Sequence, residues 1–212
     1  SETADFRLHF YNSDGTRGEM CGNGARCICK FAYDHGIAGE AMTVQTDAGI
    51  VPGWRLSENR YRVKLNIPGV MDLKRRPDGA YVELGEPGVP HCVTEVVGLE
   101  YDMKEALREK AVMLRHAPEF PKGANVNYYD WIGENRIRIL TFERGVEDFT
   151  LACGTGSGSC AAVLWLTGQL PNGTVAVENP GGTLEFRITG EGDSVTEILM
   201  TGPAEVLAIH EV

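Results

Sequence analysis

Two cysteines in matching surroundings carry the chemistry that this chain can do. Met20-Cys21-Gly22-Asn23-Gly24-Ala25-Arg26 and Ala152-Cys153-Gly154-Thr155-Gly156-Ser157-Gly158 are two copies of one Cys-Gly-x-Gly pattern. Cys153 stands 132 positions after Cys21, and the same offset pairs Phe10 with Phe142, Asn12 with Arg144, Gly24 with Gly156 and Gly36 with Gly168. Two equivalent thiols can work as a pair: one takes a proton from one face of a carbon, the other returns a proton to the opposite face. Cysteine acts as a base or nucleophile through its thiolate, which a helix N-terminus favours through its unpaired N–H groups and its dipole. The glycines after each cysteine let the backbone wrap closely around a small ligand, and the same N–H groups suit a carboxylate.

Each motif therefore needs a strand that delivers it and a helix that it opens. The alternation in Phe6–Tyr11 predicts a strand, Asn12-Ser13-Asp14-Gly15 a turn, and Cys21 the start of a helix to about His35, with Gly36 closing it. In the second copy Arg136–Glu143 predicts the feeding strand and Cys153–Leu166 the helix. Asn12 and the Glu143-Arg144 pair fall at the ends of the feeding strands, where an arginine can clamp a carboxylate through two hydrogen bonds. His91 and Asn125 read either as structural residues or as parts of a polar site.

Between the copies, Pro68–Pro77 reads as a linker holding the basic run Lys74-Arg75-Arg76. A helix is expected over Asp102–Arg115, with Asp102 and Glu105 as a capping pattern. Strands outnumber helices, with one central helix per half, so the fold class is α+β. Two homologous lobes are expected, each a β-sheet wrapped around a central helix: residues 1–65 joined by 200–212, and 66–199. The second copy has a longer lead-in to its cysteine than the first. Equal halves would place about 55 to 60 further residues before Ser1, so the first lobe is expected to be N-terminally incomplete and the chain alone a poor catalyst.

Composition narrows the class. A net charge of −10 with scattered basic residues argues against nucleic acid, and no run of eighteen apolar residues suggests a membrane span. The absence of signal-peptide character and the six cysteines together point to reduced thiols in the cytoplasm. Cys27-x-Cys29 fits no usual zinc spacing, so no metal is expected, and Cys27, Cys29, Cys92 and Cys160 read as small buried residues.

At these residues the chain resembles the diaminopimelate epimerases. The likeness runs through Phe10-Tyr11-Asn12-Ser13-Asp14-Gly15, Met20 to Cys27, Pro90-His91-Cys92-Val93 and Phe120 to Asn127. It continues through Glu143-Arg144-Gly145, Leu151 to Gly156 and Asn179-Pro180-Gly181-Gly182. The resemblance implies an epimerase without cofactor that interconverts LL- and meso-diaminopimelate, in lysine and cell-wall precursor biosynthesis. It makes Cys21 and Cys153 the acid/base pair, and Asn12, Gly22, Asn23, Asn125, Glu143, Arg144, Gly154 and Thr155 the substrate-binding residues. His91 becomes a supporting residue, the partner a small molecule, and the assembly that the reading allows a homodimer.

Two departures stand out. Val89 occupies the place of an asparagine usual before Pro-His, and a Gly-Leu-Gly-Asn-Asp-Phe opening has no counterpart here. Two other readings follow: a proline racemase-like enzyme, disfavoured because Asn23 stands where those carry histidine, or an inactive remnant that only binds ligand.

Overall fold

The computed structural model describes the chain except residues 12–14, 16, 19, 87 and 206–212. Two compact units divide it. The first holds residues 1–64 and takes up the chain again from Thr201; the second holds Leu65–Met200.

In the first unit the elements are β1 (Phe6–Arg7), β2 (Phe10–Tyr11), β3 (Arg17–Gly18), α1 (Gly22–Asp34), β4 (Ala41–Thr46), β5 (Gly49–Ser57) and β6 (Arg60–Leu65), whose last residue belongs to the second unit. The strand predicted over Phe6–Tyr11 is thus two short pieces. β1 pairs in parallel with β4, while β2 and β3 form a separate antiparallel ribbon. β4, β5 and β6 follow as antiparallel neighbours. Alternation puts Met42 and Val44 of β4, Val51 of β5 and Tyr61 and Val63 of β6 into the core. α1 buries Ala25, Cys29 and Ala32 along one stripe, the amphipathic pattern of a helix lying on a sheet. Gly53 lets β5 approach that stripe: a Cβ there would stand 2.6 Å from the Cys29 sulfur.

The second unit runs through β7 (Pro68–Arg76), β8 (Gly79–Gly85), β9 (Gly88–Glu95), a 3₁₀ turn at Tyr101–Met103, α2 (Lys104–Arg115), β10 (Asn125–Gly133), β11 (Arg136–Glu143) and β12 (Asp148–Phe149). It closes with α3 (Gly154–Leu166), β13 (Thr174–Asn179), β14 (Gly182–Glu191) and β15 (Ser194–Pro203), whose last residues belong to the first unit. β7, β8 and β9 are antiparallel, and β9 pairs in parallel with β10 across the connection that carries α2. β11 pairs in parallel with β13 across the connection that carries α3. One face of this sheet, with Cys92, Val126, Tyr128, Leu140 and Phe142, packs on Leu107, Ala111 and Leu114 of α2. α3 is buried on nearly all sides from Gly154 to Leu164, unlike the one-sided α1.

Two expectations are corrected here. Pro68–Pro77 is largely strand, not linker. Its basic run lies on β7, whose pairing partner is β8: Arg75 binds Asp72 at 2.8 Å and stacks over the Tyr81 ring, and Arg76 binds Asp78 and Glu119. Proline and charge are devices that keep an edge strand from pairing further, so a charged run there is compatible with strand. The capping pattern at Asp102 is not realised either. The 3₁₀ turn precedes α2, and no side chain caps its N-terminus at Met103.

Candidate active site

The two cysteine motifs build the same local structure. Cys21 is the N-cap of α1, in extended backbone, and its Sγ accepts the Gly24 N–H at 3.4 Å. Cys153 is the N-cap of α3, and its Sγ accepts the Gly156 N–H, also at 3.4 Å. A helix leaves its first N–H groups without acceptors inside the helix, so each thiol stands at a cluster of backbone donors. Gly22 and Asn23 form the first turn of α1, Gly154 and Thr155 that of α3. The Thr155 hydroxyl lies 3.5 Å from the Cys153 sulfur.

Both helices also end alike. Gly36 and Gly168 take positive φ, and the N–H groups of Ile37 and Gln169 reach back to the carbonyls of Ala32 and Leu164 at 2.8 and 2.9 Å. This is the glycine stop that closes a helix in a Schellman motif.

The surroundings of the two starts differ. In α1 the buried Arg26 ties the first turn together. It donates to Asn23 Oδ1 at 3.1 Å, to the Gly22 carbonyl at 3.5 Å and to the Pro203 carbonyl at 3.3 Å. The offset of 132 puts Gly158 at that place in α3, where the atoms nearest to a Cβ would belong to the Leu65, Phe186 and Ile198 side chains.

α3 starts over polar sheet residues. Asn125 pairs with His91 across the parallel strands, and Asn127 with Thr141 across the antiparallel ones. Alternation therefore lines His91, Asn125, Asn127 and Thr141 along the face opposite α2, and all four are buried. Asn127 meets α3 at its first turn: a Cβ on Gly156 would stand 2.1 Å from Asn127 Oδ1 and 3.3 Å from Cys153 Sγ. Behind Cys153, the Asn179-Pro180-Gly181-Gly182 turn braces the approach. The Gly181 N–H donates to the Leu151 carbonyl at 2.7 Å, and Ser157 donates to Asn179 Oδ1 at 3.3 Å.

Of the residues singled out from the sequence, Cys153, Gly154, Thr155, His91, Asn125, Glu143 and Arg144 belong to the second unit. Cys21, Gly22 and Asn23 belong to the first, and Asn12 lies outside the described residues. Asn125 joins β9 to the end of β11: its Nδ2 donates to the Pro90 carbonyl at 3.0 Å and its Oδ1 accepts the Arg144 N–H at 2.8 Å. The exposed Arg144 side chain donates to the Lys122 carbonyl at 3.0 Å. The sequence alone gives no role to Asn127, Thr141 and Arg26. A signal existed for Asn127, since it lies two residues from Asn125 and so shares its strand face.

The other cysteines divide. Cys29, Cys92 and Cys160 are buried; burial pushes the Cys29 thiol up to about 12, the Cys92 thiol up to about 11 and the Cys160 thiol well above its ordinary value. Cys27, expected to be buried, is exposed because it lies off the apolar stripe of α1.

Burial also depresses His91, assisted by the positive charge of Arg144, to about 3, so the imidazole is neutral at ordinary pH. An unfolded chain protonates this ring near 6.5. Between these values protons bind the unfolded state better, so the His91 contribution to stability is lost as pH falls below 6.5, by about 1.4 kcal/mol per pH unit. Glu143 acts in the opposite sense, because burial raises its carboxyl. The expected result is a steeper loss of stability between pH 6.5 and 4.5 in the wild type than in His91→Gln, read from urea midpoints; parallel slopes would contradict a neutral buried His91.

A fold of two α+β units, each with a helix capped by a cysteine sulfur, places the chain in a structural class with solved relatives. A hydroxyproline epimerase from Agrobacterium vitis has this fold, with a TM-score of 0.76 at 16% identity over 97% of this chain and 70% of that one. The sequence narrows the class: residues 1–65 and 85–207 match the profile of diaminopimelate epimerase. The diaminopimelate epimerase of Aquifex aeolicus is 37% identical over 93% of this chain and 71% of its own length, and that of Methanothrix thermoacetophila 38% over 96% and 74%. The chain belongs to the diaminopimelate epimerase family.

Proposed function

We propose that this chain interconverts LL- and meso-diaminopimelate by moving the Cα proton between Cys21 and Cys153. The observation that carries the reading is the repeated start of α1 and α3, each a cysteine sulfur at a helix end followed by glycine-flexed N–H donors. One cysteine, as thiolate, takes the Cα proton and becomes a thiol. The other, as thiol, gives a proton to the opposite face and becomes the thiolate, so configuration inverts and total charge is unchanged. The substrate carboxylate takes up the negative charge that develops at Cα, and backbone N–H groups at a helix start suit it.

The substrate-binding set proposed is Asn12, Gly22, Asn23, Asn125, Glu143, Arg144, Gly154 and Thr155, with His91 in support. Asn125 and Arg144 already share a hydrogen bond, which supports a joint role. The reading needs no cofactor, concerns a small molecule in the cytoplasm, and allows a homodimer. Among the described residues no helix is long and apolar enough to cross a membrane.

The test is incubation with LL-diaminopimelate in deuterium oxide, with chiral separation of products. The expected result is conversion of LL- to meso-diaminopimelate, with deuterium at Cα of the inverted product. Failure of the folded chain to invert diaminopimelate, together with racemisation of proline, would replace this reading with the proline racemase-like one.

A further inference from the structure

We infer that Asn127 is a positioning residue that holds His91 as the tautomer with its hydrogen on Nε2, leaving that N–H for an acceptor that arrives with the substrate. The inference rests on the proposed reaction for its purpose, though not for its geometry. The Asn127 side chain reaches four groups at once. One end lies 2.9 Å from the Cys92 carbonyl oxygen, 3.3 Å from the Asn125 carbonyl oxygen and 3.2 Å from His91 Nδ1. The other accepts the Thr141 hydroxyl at 3.0 Å.

The chemistry of these neighbours fixes which end is which. Carbonyl oxygens only accept, so the end that faces two of them is the NH₂. An NH₂ has two hydrogens and no lone pair to offer, so an N–H on His91 Nδ1 would face it donor to donor; Nδ1 therefore presents its lone pair and shares a hydrogen with the longer Asn125 contact. A neutral imidazole carries one hydrogen, which then sits on Nε2.

That second nitrogen is the unusual one. His91 is fully buried, and Nε2 has no hydrogen-bond partner among the described residues. A buried donor without an acceptor is destabilising, and such a cost marks a group kept for another purpose more readily than a packing residue. Asn127 links this ring to the thiol helix, because its Oδ1 and the Cys153 sulfur border the same point at Gly156. The asparagine on β10 therefore stands between the imidazole on β9 and the start of α3.

The tautomer can be read directly by NMR of the protein with ¹⁵N-labelled histidine, assigning His91 by the signal lost in His91→Gln. The expected wild-type spectrum shows a protonated Nε2 and an unprotonated Nδ1. Asn127→Leu, which keeps the volume and removes the donor, is expected to mix the tautomers and to lower kcat for diaminopimelate at least about tenfold with little change in KM. Thr141→Val, which spares the Nδ2 contacts, keeps the wild-type tautomer. Should Asn127→Leu not fold, the wild-type spectrum and Thr141→Val still decide. A wild-type His91 protonated on Nδ1 overturns the inference, as does a folded Asn127→Leu with unchanged tautomer and kcat. The spectrum needs no substrate, so a chain that fails to turn over diaminopimelate sinks the proposed function without touching this result.

Discussion

Cys21→Ser and Cys153→Ser are each expected to reduce inversion of diaminopimelate by roughly 10³-fold or more. A serine hydroxyl is nearly isosteric with a thiol and accepts the same backbone hydrogen bond, so each helix cap survives and stability changes little. Its acidity does not survive the exchange, because a hydroxyl neither ionises near neutral pH nor gives up its proton readily to a carbanion. Inversion needs an acid and a base at once, so removing either function stops it. The two variants should differ in what remains. Each keeps one thiol, and so deprotonates only the epimer whose hydrogen that thiol faces. In deuterium oxide, residual exchange without inversion should therefore appear in opposite epimers for the two variants. Near-normal inversion by either one would mean that its Cys-Gly-x-Gly copy is structural. Cys27 is exposed, so thiol-labelling controls require a Cys27→Ser background.

Gly24→Ala and Gly156→Ala, equivalent in sequence, are expected to behave differently. At Gly24 a Cβ would meet Cys21 and Phe10 atoms at 3.5–3.8 Å, ordinary contact. Alanine is the better helix former by about 0.8–1 kcal/mol, so this variant should be neutral or slightly stabilised. At Gly156 the same methyl would stand 2.1 Å from Asn127 Oδ1, a side chain fixed by Thr141 and by the Cys92 carbonyl. Neither the helix start nor the amide can yield without breaking buried hydrogen bonds. A loss of about 1–3 kcal/mol is expected from overpacking, together with a displaced Cys153 and a large fall in kcat. Urea denaturation and initial rates of both variants decide it. Equal effects at the two glycines would mean that α3 moves away from β10 at little cost.

The repeat predicts both central helices to within a residue at each end, for a local reason. A cysteine cap and a glycine at C′ act on groups within four or five positions in the chain, so Cys21 with Gly36, and Cys153 with Gly168, define their helices unaided. The α+β class was legible for the same reason, since strand alternation and helix caps are written in adjacent residues. The candidate thiols, their glycines and the family follow from the same motifs.

Only the tertiary structure decided what lies beneath them. Pro68–Arg76 has the local composition of a linker and becomes a strand because β8 offers it an edge. Cys27 and Cys29 are indistinguishable by type, and the face of α1 that packs on β5 exposes one and buries the other. Gly24 and Gly156 match in sequence but not in their neighbours. Asn127 passes for an ordinary strand residue until strand pairing sets it between His91 and Thr141, under the helix that Cys153 opens. The Asn127 contacts reach partners 14 to 36 residues away along the chain, and no local pattern of caps, turns or alternation encodes which distant side chain will arrive.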